Sequence, residues 1–294
     1  MSRIFDALRR SEQVKNPPAT RPNGEQVQDV LRSFESRPEF LEGIERKVCR
    51  PHAEGHVLSV GRNGARGQEE FRLLCHRLER IRQDQALSKI LVSSAIPAEG
   101  KTLVAVNLAA TLAQRSPSVL LIDGDLRHRG VHRLLGLDRS SGLADFLEGR
   151  IGAAAVFQRI DPLGLYYIPA GHSSINPAEL LQKPKLRELI GMAVAEFAWI
   201  VIDSPPLNLF ADAHCLSTLA DGVMLVVREG LTSKNVVEEA KASLAGAFIA
   251  GVVVNGSTTS NYKYGLYESY GSARAAVPTQ AASSSTSGSS SSGK

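Results

Sequence analysis

The chain has 294 residues, 43% of them apolar, enough for one large α/β domain or two small ones with a sizeable core. Acids and bases are mixed along it to a net charge of +4, without the dense Lys/Arg block of a nucleic-acid arm, so no nucleic-acid partner is expected. Cys49, Cys75 and Cys215 lie far apart with no C-x-x-C spacing, which fits a reducing cytosol. The first residues lack the apolar run of a signal peptide, and no stretch approaches the ~20 apolar residues that span a bilayer. The expectation is a soluble, cytoplasmic chain that a membrane partner could recruit.

In chain order, residues 1–65 read as a short helix with Ile4, Phe5 and Leu8 on one side, followed by a loose linker holding Pro17, Pro18, Pro22 and Pro51. A helical run over 68–85 comes next. Apolar strands are predicted at 90–92, 119–122, 165–168, 199–202, 222–227 and 251–254, alternating with helical stretches. Their hydrophobicity is continuous rather than alternating, which suits strands buried on both faces and joined by crossover helices. A doubly wound, mainly parallel sheet over 66–258 follows. Residues 259–272 hold a tyrosine cluster. Residues 273–294 are mostly small and polar, too poor in apolar side chains to offset ordering entropy, so a disordered tail is predicted.

The segment from Ser93 to Thr102 follows a strand and opens a helix, the context a phosphate loop requires. Backbone N–H groups there, from Ala98 through Leu103, would cradle phosphates. Gly100 would allow close approach, Lys101 would reach the β/γ-phosphates, and the Thr102 hydroxyl would bind Mg²⁺. The first glycine of G-x-x-x-x-G-K-[ST] is Ala95 here, so the strict pattern is not met. Taken alone, Gly-Lys-Thr also admits a second reading, as a plain helix N-terminus after a turn. Two further strand ends add weight. One carries Asp123, Asp125 and Arg127; the other carries Asp203 before Ser-Pro-Pro. Ligands of open α/β sheets bind at that edge.

The runs hhhDxDxR at 120–127 and hhhDSPP at 200–206 resemble the Walker A′ and Walker B motifs of the bacterial tyrosine autokinases of capsule and exopolysaccharide synthesis. The likeness extends through Ile168-Pro-Ala-Gly171, Asn176-Pro-Ala-Glu-Leu-Leu181 and Gly251-Val-Val-Val-Asn255, and the opening octapeptide is similar to the N-terminal helix of the single-chain, exosortase-associated members. The resemblance implies a deviant P-loop NTPase fold that uses ATP and Mg²⁺ and tolerates the missing glycine. It implies Lys101 at the transferred phosphoryl, Thr102, Asp123 and Asp203 organising Mg²⁺, and Asp123 or Asp125 orienting the tyrosine hydroxyl. Nucleotide-binding positions would be Ala98, Glu99, Gly100, Lys101, Thr102 and Leu103. Arg127 stands open between binding a phosphate and pairing with an acid, and Asn255 between reading adenine and starting a turn.

Tyr262, Tyr264, Tyr267 and Tyr270, four of the six tyrosines, fall within eleven residues after the last predicted strand. Beside a kinase-like domain they read as phosphoacceptors, reached in trans by a neighbouring subunit, with each phosphate adding up to about two negative charges that weaken self-association. The helix at Glu69, Arg72 and Cys75 partly resembles the family's E-x-x-R-x-x-R oligomerisation motif, with Cys75 at the second arginine. A homo-oligomer, a membrane polysaccharide co-polymerase with an activating cytoplasmic tail, and a cognate tyrosine phosphatase are the partners the resemblance implies. The alternative is an ATPase switch of the partition or division-site class without kinase activity.

Overall fold

The chain runs β1 (Glu45–Val48), α1 (Gln68–Asp84), β2 (Lys89–Ser94), α2 (Lys101–Ala113), β3 (Val119–Asp123), α3 (Val131–Leu135) and α4 (Leu143–Leu147). It continues through β4 (Gln158–Asp161), β5 (Leu165–Ile168), α5 (Pro177–Leu181), α6 (Pro184–Glu196), β6 (Trp199–Asp203), α7 (Ala211–Ser217), β7 (Gly222–Arg228), α8 (Lys234–Ser243) and β8 (Ile249–Asn255). This computed structural model describes residues 43–51, 57, 67–244 and 246–257. The predicted N-terminal helix, the tyrosine cluster and the Ser-rich tail lie outside the described residues.

The strands form one eight-stranded sheet in the order β1-β4-β5-β3-β6-β2-β7-β8. Neighbours from β5 to β8 run parallel, whereas β4 is antiparallel to β5, and β1 runs parallel to β4. All six predicted strands form. The expectation of a loose linker up to residue 65 is corrected at β1, which adds an edge strand from the polar run Glu45-Arg-Lys-Val48.

Buried residues alternate between two cores, one on each face of the sheet. Ile90, Val92, Val119, Leu121 and Val201 face one side, where α2 packs with its run from Val104 to Leu112 and α1 adds Cys75 and Leu78. Leu91, Leu120, Ile122, Ile200 and Ile202 face the other, against Leu186, Leu189, Ile190 and Ala193 of α6 and Leu216 of α7. Continuous apolar runs are what this demands, because each central strand has no solvent face. Cys75 is fully buried and its thiol is pushed up to about 12 by burial, whereas Glu69 and Arg72 pair on the exposed side. The second arginine position of the oligomerisation motif thus faces the core here.

Candidate functional site

Strands β2, β3 and β6 end side by side, and the register pairs Asp123 directly with Asp203. This brings the Gly-Lys-Thr turn and the acids from two separate motifs to one edge. Close approach is needed between β3 and β6: the Gly124 N–H donates to the Asp203 carbonyl at 2.9 Å, and a Cβ on Gly124 would lie 2.7 Å from that oxygen. The middle residue of Asp-Gly-Asp is therefore a packing requirement. Ser204 ties β6 to β2, its hydroxyl donating to the Val92 carbonyl at 3.1 Å.

The loop before α2 turns through positive φ at Ala98 (66°) and Gly100 (90°). The first helical bond runs from Val104 N–H to the Gly100 carbonyl at 3.0 Å, so the amides of the first turn remain donors for an anion. Glu99 is fully buried, and its carboxylate accepts from Ile96 N–H at 2.8 Å, Arg228 N–H at 3.3 Å and the Thr232 hydroxyl. Its side chain thereby pins the loop to the end of β7, leaving its backbone for a nucleotide. Asn255 donates to the Glu99 carbonyl at 2.9 Å and accepts from Gly256 N–H at 2.9 Å. From the end of β8 it braces the loop. Leu103 is half-buried, and its carbonyl accepts from the Asn107 side chain at 3.0 Å.

Lys101 Nζ lies 3.1 Å from Asp125, and both side chains are nearly buried. Asp125 also accepts from His128 N–H at 2.9 Å. Burial raises the Asp123 carboxyl well above the usual range, reinforced by the charges of Asp203 and Asp125. Burial likewise pushes Asp203 up to about 7, against the opposing pull of Lys101 and the Thr102 hydroxyl. One oxygen of Asp123 accepts from Val131 N–H at 3.3 Å; the other, and both oxygens of Asp203, are buried without a hydrogen-bond partner. The Thr102 hydroxyl and the Ser204 N–H lie near Asp203 without reaching hydrogen-bond geometry.

Two buried, like-charged carboxylates with orphaned oxygens are an unstable arrangement unless a cation joins them. The donor set is oxygen-only, a carboxylate pair beside a hydroxyl, as suits Mg²⁺ that keeps water and substrate phosphate as its remaining ligands. Among the described residues no group of three His, Cys, Asp or Glu side chains forms a metal cage.

Arg127 forks onto the fully buried Asp212, at 2.7 and 3.0 Å, with the Phe210 ring 4.6 Å beneath it. Of its two readings, pairing with an acid is the one the structure shows, and the pair fastens the loop after β3 to α7. The phosphoacceptor candidates Tyr262, Tyr264, Tyr267 and Tyr270 fall outside the described residues. Sequence reasoning missed Gly124, Ser204, Arg228, Thr232 and Asp212. The first two sit inside the motifs it used, and the others carry no local signal.

No family model matches the chain. It is similar to the tyrosine-protein kinase YwqD of Bacillus subtilis, 33% identical over 225 residues, covering 76% of this chain and 95% of that one. It is also 33% identical over 205 residues to the putative tyrosine-protein kinase EpsB of Ralstonia solanacearum, covering 69% of this chain but 27% of that longer one. Among solved structures, the kinase domain of the Escherichia coli tyrosine kinase ETK superposes with a TM-score of 0.66 at 30% identity, covering 68% of this chain and 79% of that one. The septum site-determining protein MinD of Pyrococcus horikoshii, complexed with Mg-ADP, superposes with a TM-score of 0.50 at 24% identity, covering 57% of this chain and 70% of that one, a likeness of fold alone.

Proposed function

Since the chain belongs to the family of bacterial protein-tyrosine kinases, we propose that it transfers the γ-phosphate of ATP to Tyr262, Tyr264, Tyr267 and Tyr270 of a second copy of itself. The observation that carries this reading is the convergence of Lys101, Thr102 and three buried acids, two of them with orphaned oxygens, at one sheet edge. Family membership sets aside a partition-type ATPase switch. The match covers 27% of the length of EpsB.

In the proposed reaction the loop amides and Lys101 bind the phosphates, while Thr102, Asp123 and Asp203 hold Mg²⁺. The metal, when bound, neutralises charge on the phosphates and polarises the scissile bond. The tyrosine oxygen forms a bond to the γ-phosphorus as the bond to the β-phosphate oxygen breaks, ADP leaves, and the hydroxyl proton passes to Asp123 or Asp125. Asp125 is suited to that role because one of its oxygens already meets Lys101 and the other meets a backbone amide, which fixes the carboxylate plane. Glu99 and Asn255 position the loop from behind.

The polysaccharide connection rests on the motif resemblance. On this reading a membrane co-polymerase with a cytoplasmic tail activates the kinase and draws it to the inner face of the membrane, and a phosphatase resets it. No helix among the described residues is long and apolar enough to cross a membrane.

The test is intact-mass and phosphosite analysis after incubation with Mg²⁺ and ATP. Phosphate on the four tyrosines, abolished by Lys101→Ala, is expected. In a mixture of the Lys101→Ala chain and a chain with all four tyrosines changed to Phe, phosphate on the former reports transfer between copies. Absence of tyrosine phosphate, even with the cytoplasmic part of a membrane activator present, would sink the reading.

A further inference from the structure

Residues 45–50 do more than add an edge strand. β1 runs parallel to β4 from the Glu45–Gln158 pair to the Val48–Asp161 pair, and the Cys49 N–H donates to the Asp161 carbonyl at 2.9 Å. The chain then leaves the sheet and crosses to α3. The Arg50 N–H donates to the carbonyl of Leu135, the last residue of that helix, at 2.9 Å. This carbonyl is one of those a helix end leaves without an internal partner. Gly136 closes the helix at φ 62°, and a Cβ there would lie 1.9 Å from the Arg50 carbonyl oxygen. Cys49 is buried in the same apolar cluster as Val131 and Leu135. The segment is a strap over the carboxyl end of α3.

The other end of α3 meets the candidate site. The Val131 N–H donates to Asp123 Oδ2 at 3.3 Å, while Asp123 Oδ1 is buried without a partner. A Cβ on Gly130 would lie 3.2 Å from the Thr102 methyl and 3.4 Å from its hydroxyl oxygen. Between β3 and α3 the chain passes through positive φ at Arg129 (51°), a non-glycine conformation that persists only where the surrounding structure holds it. With five residues, α3 is too short to keep its shape by helix propensity. Its placement is set by the core beneath it and by its two ends, the strap at one and Asp123 with Thr102 at the other.

We propose that the strap is a positioning element for the metal-holding acid: through α3 it keeps the Val131 N–H on Asp123 Oδ2, which fixes the carboxylate and leaves Oδ1 for Mg²⁺. Arg50 acts through its backbone and Gly136 through the side chain it lacks, so both are positioning residues that touch neither metal nor nucleotide. Groups that orient a metal ligand from behind typically change metal affinity about 10–100-fold when lost. The inference rests on the proposed Mg²⁺ site and is independent of which tyrosine accepts the phosphate. Its consequence is that Mg²⁺ affinity depends on a segment that precedes every motif of the site in the chain.

The test uses the full chain and a fluorescent ADP analogue, titrated first in chelator and then with Mg²⁺, so no tyrosine transfer is measured. Arg50→Pro removes the N–H that holds Leu135, and Gly136→Ala drives a Cβ against the strap from the other side. In both variants the Mg²⁺ concentration that half-maximally tightens ADP binding should rise about tenfold, while ADP affinity in chelator stays within about twofold of wild type. Amide hydrogen exchange should quicken across 130–137 and stay unchanged across 103–112 of α2. Arg50 is exposed, so Arg50→Ala, which keeps the backbone bond, should match wild type in every measurement. If Arg50→Pro does not fold, Gly136→Ala carries the same expectation. Faster exchange at 130–137 with an unchanged Mg²⁺ midpoint makes the strap a scaffold only and overturns the proposal. So does unchanged exchange, an equal loss of ADP affinity in chelator, or an Arg50→Ala variant that behaves like Arg50→Pro. A wild-type chain in which Mg²⁺ does not tighten ADP binding removes the metal site itself, whereas tightening that the variants retain in full removes the strap alone.

Discussion

Replacing Asp203 with asparagine should stabilise the nucleotide-free protein while abolishing phosphoryl transfer. Asp203 is fully buried, neither of its oxygens has a partner, and its carboxyl is pushed from an ordinary 3.8 up to about 7. Each tenfold change in proton affinity is worth ~1.4 kcal/mol, so the ionised group destabilises the fold by about 4 kcal/mol above the upper value. Between the two values the folded protein keeps a proton that the unfolded chain has released, so stability falls as pH rises through that window. A neutral amide removes this dependence, although it leaves an imperfectly satisfied group of its own. Recovery of half the penalty, about 2 kcal/mol, should raise Tm by roughly 4–8 °C at pH 8. Urea unfolding at pH 5, 6, 7 and 8 with chelator present measures both quantities. The variant's stability should fall less steeply with pH than the wild type's, and Mg²⁺ should stabilise the wild type more. A variant no more stable than wild type at pH 8, or one with the same pH slope, would refute the reasoning.

Gly100→Ala places a Cβ 2.1 Å from the Asn255 amide on a backbone at φ 90°, so it should destabilise the loop by about 1–3 kcal/mol and weaken ATP-analogue binding at least tenfold. Adding Asn255→Ala should restore the part due to the clash and not the part due to φ, which a double-mutant cycle by calorimetry separates. Glu99→Ala strands two amides and a hydroxyl, and should reduce stability by about 2–4 kcal/mol and nucleotide affinity with it, as titration with a fluorescent ATP analogue would register. Arg127→Ala leaves Asp212 buried and unpaired, so a loss of about 3–5 kcal/mol in chemical denaturation is expected, largely relieved by Asp212→Asn in the same chain.

The central strands were legible because each is dry on both faces, so the chain had to write them as unbroken apolar runs such as Ile90–Val92 and Trp199–Ile202. The two strands at the β1 end of the sheet have no such obligation. β1, the edge, and β4, its neighbour, carry Arg46, Lys47 and Arg159, whose charges reach solvent or pair locally, and no period marks them as strand. The acids and Lys101 were legible for a related reason: Asp123 and Asp203 close apolar runs, Asp125 follows one by two residues, Lys101 opens the helix after another, and a parallel sheet brings such ends to one edge. Glu99 was named as a nucleotide contact, yet its side-chain partners lie 129 and 133 residues further on, at Arg228 and Thr232. Arg127 could not be decided because Asp212, its partner, is 85 residues away with no motif around it. Such pairings are set by which helix packs beside which loop, information that emerges only once both cores are built.

The contact between Lys101 and Asp125 has a consequence for the order of events. A lysine held at 3.1 Å by a nearly buried carboxylate has already lost most of its water, so an incoming phosphate exchanges one anion for another rather than stripping a solvated cation. That exchange uncovers Asp125 as the phosphate arrives. Until then the acid is masked by the very group that will grip the nucleotide, and a hydroxyl meeting it early finds no free acceptor. The pair behaves as an interlock, with nucleotide first and tyrosine second. Initial-rate patterns with ATP and a tyrosine peptide should therefore be ordered, and a random pattern would contradict the interlock.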